Sequence, residues 1–213
     1  MRARYVIVAW LAVSLAVVAA PVEAAEPSGL EQTGLHGAEL VRALRNGGHV
    51  IYLRHAATDH SRGDSDRENL ENCAEQRNLS DKGRDQAHAI GRAFKALGIP
   101  VARVESSPYC RCIETGRLAF GDVSVSDDLR SAISQSRSET ARSAEALRKR
   151  LGEPPPPGTN TVLVSHTANL QEAAGIWPDP EGVAIVVRPD DAAGFSFVAK
   201  VLPEQWAELP RER

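Results

Sequence analysis

From residue 30 to residue 201 the chain alternates continuous apolar runs with segments of helical periodicity. The runs "HVIYLR", ending at Arg54, and "TVLVSH", ending at His166, read as strands buried on both faces. "RVESSPY" and "VSVSDDL" predict two shorter strands, and "VAIVVRP" and "GFSFVAKVL" predict an antiparallel pair around "DDAAG". Helices fall between them. "GAELVRALRNGG" places Ala38, Val41 and Leu44 on one face and stops at Gly47-Gly48. "LSDKGRDQAHAIGRAFKALGIP" offers Ser80 as N-cap, a stripe of Ala87, Ile90, Phe94 and Leu97, and a stop at Gly98 and Pro100. "CRCIETGRLAFG" predicts a helix ended by Gly121. "SRSETARSAEALRKRLG" carries a capping box, Ser136 to Glu139, and buries Ala144, Leu147 and Leu151. "EPPPPGTN" reads as a stiff exposed connector, "TANLQEAAG" as one more helix, and the polar stretch from His60 to Asn78 as an excursion over one end of the sheet. Strands alternating with helices predict the α/β class, with a sheet covered on both faces.

The N-terminus stands apart from this pattern. "MRAR", the apolar run "YVIVAWLAVSLAVVAA" and the small residues of "PVEAAEP" form a secretory signal peptide, residues 1–25, with cleavage after Ala24 or Ala25. The apolar run falls short of the roughly 20 residues a membrane span needs. Residues 26–213 then make a single domain of periplasmic or secreted location, with no membrane contact beyond the signal. An oxidising compartment favours a disulfide. Cys110 and Cys112 are too close in sequence to bridge each other without strain, so Cys73 pairs with Cys110 or with Cys112 and one thiol stays free.

The net charge of −3 gives no global basic field, which argues against nucleic acid as a partner and requires any anion site to be local. Such a site can be assembled. The first strand ends on Arg54 and His55, Arg111 opens a helix after the second, and His166 ends the strand "LVSH". In a doubly wound sheet, ligands bind beyond the carboxyl ends of the strands, so these four residues converge. Two guanidiniums match the oxygens of a phosphoryl group, helix N-termini near Arg111 and after His166 add donors, and a neutral imidazole is a competent nucleophile. A second imidazole can donate to the oxygens as charge develops. The arginines supply the positive charge, so no metal or other cofactor is called for. A metal cluster of His49, His55 and His60 has a spacing that suits neither a helix face nor a tight loop.

"LRHA", "SSPYCRCIETGRLAF" and "VSHTANL" resemble, in order and spacing, the signature blocks of the histidine phosphatase superfamily, across about Val50 to Val201. The resemblance implies a three-layer sandwich with a mostly parallel central sheet of the phosphoglycerate mutase-like kind. It implies a metal-independent phosphatase acting on a small phosphorylated substrate, with His55 as the phosphorylated nucleophile. Arg54, Arg111 and His166 would form the phosphate pocket, with Thr58 near its rim. The chain departs from the family at Ala56 and Thr167, where Gly is usual, and in having no Glu in "DDLRSAISQS", where many members carry the proton donor. Glu181 of "DPEGVAIVV", which resembles an acidic position of some exported relatives, is the first candidate for the general acid, ahead of Asp128 and Asp59. Two other readings stay open: a phosphohydrolase limited to good leaving groups, or a phosphate-group binder without turnover. The sequence leaves the substrate and the oligomeric state open.

Overall fold

A computed structural model describes residues 34–192 and 194–211; the expected signal peptide, residues 1–25, lies outside them. Six strands form one sheet in the order β3-β2-β4-β1-β5-β6. They are β1 (Val50–Arg54), β2 (Val101–Ser106), β3 (Ser124–Val125), β4 (Asn160–Ser165), β5 (Ala184–Asp190) and β6 (Gly194–Val201). The neighbours β3, β2, β4 and β1 run parallel, while β5 pairs antiparallel with β1 and β6 antiparallel with β5.

The helices are α1 (Gly37–Asn46), α2 (Asp81–Leu97), α3 (Cys110–Phe120), α4 (Arg137–Leu151), α5 (Thr167–Ala174) and the short α6 (Gln205–Glu208). Successive side chains of a strand point to opposite faces, and β1 shows the consequence. Ile51 and Leu53 join Leu40, Val41 and Leu44 of α1, Ile90, Phe94 and Leu97 of α2, Cys112 of α3 and Trp206 of α6. Val50 and Tyr52 join Leu129, Leu147 and Leu151 of α4 and Leu170 of α5. The result is a three-layer α/β sandwich in which each fully buried aliphatic side chain contributes about 1.5–3 kcal/mol.

Local signals explain the element ends. The Ser80 hydroxyl accepts from the Gly83 amide, and Gly98 closes α2 in the left-handed conformation. Ser136 and Glu139 form the reciprocal capping box at the start of α4. One sequence expectation needs correcting. The buried face of α1 is Leu40, Val41 and Leu44, with Ala38 only half-buried. The helix turns its larger side chain to the sheet, where more apolar area is removed from water.

Two glycines set the floor of the site. Gly83 lies so close to the loop after β1 that a Cβ there would fall on the Ala57 carbonyl. Gly182, at φ 83°, donates its amide to the His55 carbonyl (2.9 Å). The segment after His55 is thus clamped between α2 and the approach to β5.

Candidate active site

The strand-end residues converge. His55 and His166 lie edge to face with ring centroids 5.4 Å apart, both almost fully buried. His55 Nδ1 is 3.0 Å from the Ala56 carbonyl. A carbonyl only accepts, so Nδ1 carries the proton and Nε2 keeps its lone pair. Burial, followed by the Arg111 guanidinium, holds the His55 pKa down at about 3 despite the raising effects of the Ala56 carbonyl and Glu181. His166 is likewise held well below the usual imidazole value, first by burial and then by Arg111. Its Nε2 shares a hydrogen bond with the Ser107 hydroxyl (2.8 Å), and Tyr52 donates to its carbonyl (2.6 Å).

Arg54 and Arg111 have parallel arrangements. Arg54 donates through Nη1 to Asp179 (2.7 Å) and the Pro178 carbonyl (3.2 Å), and its Nη2 lies 3.7 Å from Glu181. Arg111 donates through Nη1 to Asp64 (2.9 Å) and the Arg77 carbonyl (3.4 Å), and its guanidinium stacks 4.3 Å from the Tyr109 ring centre. In both arginines Nε is buried with no acceptor. Buried donors are normally satisfied, so the unpartnered Nε groups of Arg54 and Arg111, close to two imidazoles, are free to donate to an anion; Arg130 Nε is also unpartnered.

Thr58 is buried and binds a carboxylate. Its amide and hydroxyl donate to Glu181 (2.9 and 2.8 Å), as does Arg77 Nη1 (3.0 Å), and Arg77 Nη1 also donates to the Thr58 hydroxyl. Burial raises the Glu181 pKa, but the bonds from the Thr58 amide and hydroxyl outweigh it and the group comes down to about 2. Glu181 therefore joins the His55 cluster as an ionised carboxylate. The two alternative acids have other partners. Asp128 pairs with Arg150 of α4 (2.9 Å), and Asp59 accepts from the Ser61 amide (3.0 Å). His49 and His55 sit at opposite ends of β1, which keeps them from sharing an ion, and no group of three or more metal-ligating residues occurs among the described residues. Nor is any described helix long and apolar enough to cross a membrane.

Ala56 replaces the family glycine without strain, since no non-glycine described residue has positive φ. The Thr115 hydroxyl accepts from its amide (3.0 Å) and donates to the Arg111 carbonyl (2.7 Å), joining the turn after β1 to α3. Cys73 pairs with Cys110, which leaves Cys112 as a buried thiol. The α3 N-terminus is less open than expected, because the Cys110 amide is taken by Gln76 (2.9 Å).

Residues 50–133 match the family model described as the histidine phosphatase superfamily (branch 1). Over those residues the chain is similar to the histidine phosphatase superfamily. The matched segment holds β1, the covering loop and the Arg111 block, while His166 and Glu181 are reached through the fold. No curated protein sequence matches the chain significantly. Solved structures share the architecture. An Escherichia coli candidate alpha-ribazole-5'-P phosphatase has a TM-score of 0.55 at 15% identity, covering 73% of this chain and 97% of its own. The mycobacterial glucosyl-3-phosphoglycerate phosphatase in complex with VO3 gives 0.52 at 16%, covering 72% and 98%. A Thermus thermophilus protein, TTHB049, gives 0.51 at 16%, covering 72% and 99%. At these identities the likeness is one of fold.

Proposed function

We propose that this chain is a histidine phosphatase, a metal-independent enzyme of the periplasm or the secreted space that hydrolyses phosphomonoesters through a phosphohistidine on His55. One observation carries the reading. The His55 Nδ1 proton is committed to the Ala56 carbonyl, Nε2 keeps its lone pair, and Arg54 and Arg111 each hold a buried N–H without an acceptor. The Nε2 lone pair attacks phosphorus, the bond to the leaving oxygen breaks, and that oxygen takes a proton. Water then attacks the phosphohistidine, releasing orthophosphate and regenerating neutral His55. Arg54, Arg111 and His166 stabilise the charge on the transferred oxygens. The Cys73–Cys110 disulfide supports an oxidising compartment.

Glu181 supports a narrower version of the same reading. At a pKa of about 2 it carries no proton in the free protein at neutral pH. It can serve as general acid only after gaining one, and the negative charge of a bound phosphoryl group works in that direction. Substrates with good leaving groups, such as aryl phosphates, phosphohistidine and phosphoanhydrides, escape this requirement.

The test is hydrolysis of a chromogenic aryl phosphate by purified mature protein with a chelator present. Wild type should turn over and trap an acid-labile phosphate on His55, and His55→Ala should do neither. Full activity in that variant would overturn the mechanism. Phosphate binding by wild type without turnover of any monoester or anhydride would leave a phosphate binder instead.

A further inference from the structure

The loop between β1 and α2 grips the first turn of α3 at two consecutive residues. Cys73 is bridged to Cys110, and Gln76 accepts from the amide of that same residue. At the next position, Asp64 accepts from Arg111 Nη1 and, with the same oxygen, from the Arg77 amide (2.9 Å each). Arg111 is 3% exposed and Asp64 14%, so this ion pair is not a solvated surface contact.

We propose that Asp64 is a positioning residue for phosphate binding, holding the Arg111 guanidinium by Nη1 so that its Nε edge is presented to the transferred phosphoryl group. The inference rests on the phosphatase reading above and adds a residue that the family signatures do not mark. A guanidinium has two usable edges. Asp64 and the Arg77 carbonyl hold Nη1, the Tyr109 ring supports one face, and Nε is left buried without an acceptor. With Asp64 gone, an almost fully buried cation keeps one weak acceptor at 3.4 Å and is free to swing from the pocket. The opposite arrangement, a carboxylate competing with phosphate for the same donor, would require Asp64 to sit on the edge that is left unpartnered.

The experiment measures the inhibition constant of inorganic phosphate, and KM and kcat for an aryl phosphate, in wild type, Asp64→Ala and Asp64→Asn. Asp64→Ala should raise both the phosphate inhibition constant and KM by about tenfold, the worth of a lost charge-assisted hydrogen bond, with a smaller change in kcat. Asp64→Asn should recover most of the loss, because its amide oxygen can accept the same two bonds. In an Arg111→Lys background, Asp64→Ala should add nothing further to the inhibition constant. Unchanged or tighter phosphate binding in Asp64→Ala, or losses that add in the double variant, would overturn the proposal. A wild type that neither binds phosphate nor turns over would instead refute the phosphatase reading.

Discussion

Replacing Glu181 by Gln tests the electrostatics on which the site is built. The carboxylate is 11% exposed and faces Thr58, Arg77 at 3.0 Å and Arg54 at 3.7 Å. Its pKa falls from an ordinary 4.5 to about 2 on folding. With about 1.36 kcal/mol for each tenfold change, ionised Glu181 contributes roughly 3 kcal/mol at pH 7. The sign follows from the depressed pKa. The contribution is fully present above about pH 4.5 and is lost as pH falls from there toward 2. Linkage leaves less than half of it at pH 3. Gln cannot take the charge but keeps an acceptor for one Thr58 donor, so a loss of about 2–3 kcal/mol is expected at pH 7. Equilibrium urea unfolding of both proteins at pH 7, 5 and 3 measures this directly. The gap should hold from pH 7 to 5 and shrink to less than half at pH 3. A gap that does not change with pH, or none at pH 7, would refute the reading of Glu181 as an ionised buttress.

If Glu181 also passes a proton to the leaving oxygen, Glu181→Gln should slow alkyl phosphates by about 10²–10⁴-fold while sparing nitrophenyl phosphate; equal slowing of both would exclude that role. His55, held at about 3 chiefly by burial, should stay a neutral nucleophile far into acid. Corrected for substrate ionisation, kcat/KM should therefore be flat from pH 7 to 5, and an acid limb near 6.5 would contradict it. The same lowered pKa means that His55 lowers stability as pH falls from 6.5 toward 3, because only the unfolded chain takes up the proton there. Replacing both Cys73 and Cys110 by Ser opens a bridge spanning 37 residues. This should cost roughly 3–4 kcal/mol in thermal or urea unfolding and raise KM more than it lowers kcat; an unchanged KM would separate the bridge from the phosphate pocket.

What could be read from the sequence divides along physical lines. β1 and β4 are legible because a strand buried on both faces must be a continuous apolar run, and the capping residues Ser80 and Ser136 are legible because their bonds are local. His55, His166, Arg54 and Arg111 are legible because each abuts such a strand or opens a helix that follows one. Asp64 and Gln76 are not, since a carboxylate or amide in a polar loop looks the same whether it meets water or a buried guanidinium. The α1 face departs from its pattern at Ala38 for a similar reason: both Ala38 and Leu40 fit a helical stripe with Val41 and Leu44, and only the distance to the sheet selects Leu40. The choice between Cys110 and Cys112 likewise turns on which face of α3 meets the covering loop.

Paired carboxylates explain how a chain of net charge −3 keeps its site arginines ready for an anion. Arg54 is paired with Asp179, Arg77 with Glu181 and Arg111 with Asp64. Three guanidiniums are matched by three carboxylates, which limits the cost of holding the cations out of water in the free protein. In Arg54 and Arg111 the carboxylate partner is taken by Nη1, and Nε remains. A phosphoryl group can then bind the free edges without displacing any carboxylate. It brings up to two negative charges into a locally balanced cluster that includes the ionised Glu181. On the proposed function, binding of the substrate would raise the affinity of Glu181 for a proton, which is what a general acid at that position requires.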